Sequence, residues 1–228
     1  MPFYFDWTYL LVIPGLIIAL WAQASVKRAY GKYSQVSTKG GITGADVARR
    51  ILAQNNIDIA VTRSEGGQLS DHYDPKAKVI RLSQGVYDNS SIAALGIAAH
   101  ETGHAIQYHK SYMPIFVRNG LLPVANIGSF LAFPMVFLGI IFGHFSFLIN
   151  IGILLFTAVV IFQIVTLPIE FNASKRAMET LADGGYLDEY EIVGARRVLT
   201  AAAMTYVAAL IATLLQLLRL ILLSQRRR

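Results

Sequence analysis

No cysteine occurs anywhere in this sequence. Disulfides, thiolate metal sites and cysteine nucleophiles are thereby excluded, while the compartment stays open. Any zinc would have to be held by nitrogen and oxygen. Charge is scarce as well: 15% of the residues are charged, against about 25% in an ordinary soluble domain. A net charge of +6 and a pI near 9.6 would suit a nucleic-acid partner. The dense basic cluster interleaved with aromatics that such binding needs is missing, however. Many of the basic residues instead flank apolar runs, where anionic lipid and membrane topology account for them, so no nucleic acid is expected as a partner. Internal repeats and low-complexity tracts are absent too.

What the chain has in quantity is apolar sequence: 54% hydrophobic residues and a mean hydropathy of +0.48 over 228 residues. That length accommodates a small domain together with membrane spans. Four apolar segments stand out. The first, TYLLVIPGLIIALWAQA (residues 8–24), is followed by Lys27, Arg28 and Lys32. A cleaved signal peptide would carry its positive charges before the apolar run, so a retained anchor is expected. The second and third, residues 121–143 and 146–167, each reach the roughly 20 apolar residues a helix needs to cross hydrocarbon. Only His144 and Phe145 separate them, which reads as a hairpin. The fourth, residues 198–223, is interrupted by Gln216 and Arg219 and ends in Arg226, Arg227 and Arg228. Gly139 and Gly143 in GIIFG form a small-xxx-small pattern suited to helix packing.

The one long soluble-looking stretch is residues 27–118. Thr43, with Asp46 three positions on, marks a helix start leading into ADVARRILAQNN. NIDIAVTRS and AKVIRLS are short and rich in β-branched residues, with turn residues in SEGGQ and SDHYDPK between them, so two strands are expected. Asp88, Asn89 and Ser90 offer caps for a helix over about 91–109. The expected fold is a mainly α integral membrane protein of about four transmembrane helices with a small α+β domain.

That last helix carries the chemistry. In AAHETGHAIQ, His100 and His104 are four positions apart and leave one helix face a turn apart, as two nitrogen ligands of one tetrahedral zinc must. Glu101, beside the first ligand, can reach a water on the metal without occupying the metal itself. H-E-x-x-H therefore supplies two ligands and a general base. The alternative is coincidence, two satisfied histidines on an apolar helix. A catalytic zinc takes three protein ligands and leaves a position for water. His109 falls at the wrong spacing for the metzincin pattern and is expected to snorkel at the helix end. His144 should lie across the membrane, and His72 in DHYDP is possible as a ligand or as a transition-state contact. Glu170, after TLPI and Pro168, is the favoured third ligand, with Pro168 in the first turn of a new helix. A carboxylate so near hydrocarbon is costly without a partner. The bland alternative pairs it with Lys175 or Arg176. A membrane hairpin crosses twice, so Glu170 would emerge on the side of His100 and His104.

With these motifs in view, HETGHAIQ, preceded by SDHYDP and followed by EFNASKRAMETL, resembles the bacterial membrane-bound neutral zinc metallopeptidases of the YugP-like family. More distantly it is similar to the HtpX-type and CAAX-prenyl integral-membrane gluzincins. The resemblance covers nearly the whole chain. It implies a zinc-dependent endopeptidase holding one zinc per chain through His100, His104 and Glu170, with Glu101 as base. The division then expected is an anchor at 1–26, a zincin-like domain at 27–120, the hairpin at 121–168, a helix with the third ligand at 169–197, and a membrane-associated helix with basic tail at 198–228. The family would have an acid where this chain has Asn172, and HtpX-type proteins an acid where it has Ser174. Asn172 can still hydrogen-bond a ligand or substrate.

As mechanism, Glu101 would deprotonate the attacking water and hand the proton to the leaving amine, with His72, Tyr73 and Tyr108 as candidate oxyanion donors. With AKVIRLS as an edge strand beside the cleft, an extended substrate could pair with it, giving broad specificity for unfolded or membrane-protein segments. Of the 20 basic residues, twelve lie in 27–118 and four in 169–197. Positive-inside counting then places both soluble stretches in the cytoplasm of a bacterial plasma membrane. The arginine tail runs against that count if residues 198–223 span fully. Two rivals are weighed. A site-2-type intramembrane protease would use SIAALGIAA before His100 and an aspartate motif like LADGG (181–185), but the first is too short to span and the second reads as a helix terminus. A non-catalytic zinc-stabilised scaffold would have no use for Glu101.

Overall fold

The computed structural model of the chain describes residues 7–67, 70–142, 145 and 147–225. Gly143, His144 and the arginine tail, all singled out above, lie outside the described residues. A short 3₁₀ turn at Trp7–Leu11 leads into α1 (Val12–Tyr33). There follow α2 (Gly44–Gln54), β1 (Ala60–Arg63), β2 (His72–Asp74), β3 (Val79–Leu82), α3 (Gln84–Tyr87), α4 (Ile92–His109), α5 (Met113–Ile141), α6 (Phe147–Asp183) and α7 (Glu189–Gln225). The chain divides into two compact units. The first comprises Met1–Gln23, Phe116–Pro168 and Thr205–Arg228, and the second Ala24–Ile115 and Ile169–Met204.

The first unit is the apolar one. Four helical stretches, Trp7–Tyr33, Met113–Ile141, Phe147–Asp183 and Glu189–Gln225, are long and apolar enough to cross a membrane. The protein is thus a mainly α membrane protein. Its outward side chains include Phe130 at 77% exposure and Leu154 at 70%. So much exposed hydrocarbon on long helices suits lipid as the surrounding solvent. Inside, Ala132 and Val136 of α5 pack with Ile149 and Phe156 of α6 and Leu220 of α7. Gly139 sits against Ile149, where an added Cβ would come within 2.6 Å of the isoleucine side chain. The glycine of the GIIFG pattern thus serves a contact within the chain. Polar groups in this unit are handled locally: Thr157, Thr166 and Thr213 hydroxyls donate to the carbonyls four residues back. The Arg219 guanidinium, which interrupts the fourth apolar run, stands 3.8 Å from the Tyr9 ring centroid.

The second unit is the small α+β body. Helix α2 starts as its sequence indicates, with Thr43 and Asp46 forming a reciprocal capping box. The three strands are ordered β1-β3-β2, β1 parallel and β2 antiparallel to β3. Two sequence expectations change here. AKVIRLS forms the central strand, because its Val79, Ile80 and Leu82 are buried and both flanks are needed to satisfy its backbone. SDHYDPK is not merely a turn: His72–Asp74 forms the edge strand β2. Asp71 fastens the entry to β2 by accepting the Ser83 backbone N–H (2.7 Å) and hydroxyl. Ser91, rather than Asp88, Asn89 or Ser90, caps α4 by accepting the Ala94 N–H.

The long helices also differ from expectation at their ends. Pro168 does not open a helix. It lies inside α6, which continues unbroken to Asp183, so Glu170 sits on the same helix as the third apolar run. LADGG is the helix terminus, with Gly185 at φ +61 and the Tyr186 N–H returning to the Leu181 carbonyl. Asp188 and Glu191 exchange backbone hydrogen bonds at the start of α7, and the buried Glu191 also accepts the Lys39 N–H at 2.7 Å.

Candidate metal centre

Helix α4 is built from small residues: Ala93, Ala94, Ala98, Ala99 and Ala105 are fully or nearly fully buried. Gly103, between the two histidines, is the tightest point. A Cβ there would lie 2.6 Å from the Ala173 carbonyl oxygen. Backbone thus rests on backbone where α4 meets α6, and no other residue type fits without displacement. That contact sets the residues flanking Ala173, Glu170 and Ser174 among them, over the histidines.

His100 and His104 stack a turn apart with ring centroids 4.8 Å apart at 84°. Oε2 of the buried Glu170 lies 3.4 Å from His100 Nε2 and 3.7 Å from His104 Nε2. The three ligand atoms all fall within 4.8 Å of one another. A tetrahedral zinc with bonds of about 2.0–2.2 Å holds its donors roughly 3.3–3.6 Å apart. The two Glu170–imidazole separations match this closely, while the set as a whole spans up to 4.8 Å and would draw in slightly around an ion. The basic alternatives for Glu170 are engaged elsewhere: Lys175 pairs with Glu179 at 3.7 Å, and Arg176 Nε donates to Asn172 Oδ1 at 2.8 Å.

Glu101 is 9% exposed, and its Oε2 accepts the Tyr73 N–H at 3.0 Å. Since that N–H points away from β3, the outer edge of β2 faces the helix carrying the histidines. The Tyr73 and Tyr108 rings meet edge to face at 5.5 Å. His72, also on β2, is exposed and its Nδ1 lies 2.9 Å from the Ser70 carbonyl oxygen. It is not part of the three-residue cluster. His109 ends α4, exposed, at the rim of a cavity of about 350 Å³ lined also by Ile57, Tyr73, Ala105 and Tyr108.

The far nitrogens of both rings are also held. His104 Nδ1 is 3.0 Å from Gln107 Oε1, and His100 Nδ1 is 3.2 Å from Ser174 Oγ. Asn172 is not a member of the cluster, and its Oδ1 receives Gln107 Nε2 at 3.0 Å and Arg176 Nε. Sequence reasoning passed over Gln107. Its signal was a polar residue three positions after His104, on the same face of an otherwise apolar helix. Burial alone would lower the His104 imidazole, but the Glu170 hydrogen bond and the Glu101 and Glu170 charges carry it above its ordinary value. At Asp71, burial and then the nearby Glu101 raise the carboxyl.

The family model described as "Putative neutral zinc metallopeptidase" matches residues 8–225. The chain is 45% identical over 213 residues to "Putative membrane protease YugP" of Bacillus subtilis (strain 168), covering 93% of this chain and 94% of that protein. No solved structure matches. With a match spanning nearly every residue from the first apolar run to the end of α7, the chain belongs to the neutral zinc metallopeptidase family.

Proposed function

We propose that this protein is a membrane-anchored endopeptidase of gluzincin type, with a zincin-like catalytic domain, in which His100, His104 and Glu170 hold one zinc ion and Glu101 is the general base. The observation that carries the assignment is the convergence of two imidazoles and a carboxylate from two helices, with a second, buried carboxylate next in sequence to the first imidazole. Bound there, zinc supplies Lewis-acid polarisation of the scissile carbonyl and eases ionisation of water. Glu101 accepts the proton of the water that attacks the carbonyl carbon. It then returns that proton to the amide nitrogen as the C–N bond breaks. The Tyr73 N–H aims one Glu101 oxygen and leaves the other for this transfer.

An extended polypeptide adds along β2, which pairs with β3 on one side only among the described residues. Backbone pairing selects extended conformation over side-chain identity, so the substrates are unfolded or membrane-protein segments and the role is membrane protein quality control. His72, exposed on β2 next to Tyr73, spends its Nδ1–H on the Ser70 carbonyl, so the oxyanion donor is assigned instead to a tyrosine hydroxyl, that of Tyr73 or Tyr108. The basic residues of 27–118 and 169–197 assign the catalytic unit to the cytoplasmic face of a bacterial plasma membrane. Neither rival fares as well. SIAALGIAA belongs to α4, which is not among the span candidates. A scaffold accounts for the Glu101 oxygen that accepts the Tyr73 N–H but gives the carboxylate beside His100 no further role.

The test is degradation of an unfolded protein by the detergent-purified chain. Cleavage that stops with a chelator and resumes with zinc is expected. Absence of cleavage by zinc-loaded protein would overturn the assignment.

A further inference from the structure

The two candidate histidine ligands are held by different kinds of partner, and the difference has a chemical consequence. Ser174 Oγ, 3.2 Å from His100 Nδ1, can donate or accept. Gln107 has no such freedom. It is fully buried, and its Nε2 stands 2.8 Å from the Ile169 carbonyl oxygen and 3.0 Å from Asn172 Oδ1. The Ile169 carbonyl can only accept. Asn172 Oδ1 is itself identified as the oxygen by the Arg176 Nε–H that points at it from 2.8 Å. Two acceptors therefore fix the Gln107 amide with its NH₂ toward α6 and its oxygen toward His104. A carbonyl oxygen only accepts, so His104 Nδ1 must carry the hydrogen.

We infer that Arg176, Asn172 and Gln107 form a directional relay that locks His104 in the tautomer whose Nε2 lone pair faces Glu170, while His100 is left unlocked. Arg176 donates to Asn172, Gln107 donates to Asn172 and Ile169, and His104 donates to Gln107. Each of these steps sets a donor against an acceptor, and reversing the Gln107 amide would set its oxygen against the Ile169 and Asn172 oxygens. Gln107 is thus a positioning residue: it touches neither substrate nor metal but decides which nitrogen of His104 is available. The inference also gives Asn172 its task. What the relay needs at position 172 is an acceptor oxygen, which asparagine and aspartate both provide. The consequence for metal binding rests on the zinc site proposed above.

The experiment is zinc affinity by chelator competition on the full detergent-solubilised chain, for wild type, Gln107→Met, Asn172→Leu, Asn172→Asp and Ser174→Ala. Methionine keeps the shape of Gln107 and removes both polar ends. Outer hydrogen-bond partners of a ligand histidine are worth roughly 10–100-fold in metal affinity. Gln107→Met and Asn172→Leu should therefore bind at least about tenfold more weakly, Asn172→Asp should match wild type, and Ser174→Ala should lose less than Gln107→Met. Imidazole ¹⁵N shifts of the metal-free protein, recorded at a pH high enough that the ring is neutral, supply a second readout, in which His104 is a single Nδ1–H tautomer in wild type and mixed in Gln107→Met. Unchanged affinity in Gln107→Met, or failure of Asn172→Asp to behave as wild type, overturns the relay. A wild type that binds no zinc sinks the metallopeptidase proposal instead, and the ¹⁵N shifts then still decide the tautomer by themselves.

Discussion

Gly103 and Ala173 touch through their backbones, close enough that a Cβ on the glycine would stand 2.6 Å from the alanine carbonyl oxygen. The contact lies between His100 and His104 on one helix, one residue before the second, and between Glu170 and Ser174 on the other, again one residue before the second. Gly103→Ala should gain about 1 kcal/mol of helix propensity and lose about 1–3 kcal/mol to overpacking. The second term dominates because the obstructing atom is backbone and cannot rotate away. The expected outcome is a lower unfolding temperature together with weakened zinc retention. An alanine variant as stable and as well metallated as wild type would show that the helices can part at no cost.

Glu101→Gln should leave zinc bound and remove cleavage, because glutamine preserves shape and the ability to accept the Tyr73 N–H but takes no proton. The loss expected of a positioned general base is roughly 10²–10⁴-fold in turnover. Parallel zinc and activity measurements distinguish this from unfolding, and full activity in the variant would refute the role.

Acidification should release zinc earlier than an ordinary histidine site would. The His104 imidazole lies above its usual value in the metal-free site, through Glu170 and Glu101 acting against burial. A proton and zinc compete for the same Nε2. Above that raised value the ring is neutral and available; as pH falls through it, the proton displaces the metal. Apparent zinc affinity, read by chelator competition across a pH series, should begin to fall already above the unperturbed histidine value of about 6.5. Removing the Glu101 charge with Glu101→Gln should move the release toward lower pH.

Much of this organisation is legible in the sequence. The capping pair Thr43 and Asp46, the apolar runs, the H-E-x-x-H spacing and the glycine terminus in LADGG are local signals, and each involves residues within a turn or two of one another. Glu170 could be singled out because a carboxylate at the edge of an apolar run is conspicuous. What escaped was set by partners far along the chain. AKVIRLS reads as a strand in either an edge or a central position, and only its pairing with both β1 and β2 decides. His72–Asp74 looks like a turn until β3 supplies its ladder. Pro168 has the same local signature at a helix start as inside α6. Gln107 is an unremarkable polar residue until Ile169 and Asn172 stand opposite it.

The absence of cysteine makes the orientation directly measurable. A single cysteine placed at Lys76, exposed in the turn between β2 and β3, should react with a membrane-impermeant maleimide only after cells are opened. Labelling of intact cells would reverse the positive-inside assignment of the catalytic unit.

The central claim is that a carboxylate on α6 completes a metal site begun by two histidines on α4. Its most direct test is zinc per chain in detergent-purified wild type and Glu170→Ala after identical washing. Near-stoichiometric zinc in the wild type and a clear loss in the variant are the expected result. Equal zinc in both would contradict the claim and return the third ligand to another residue.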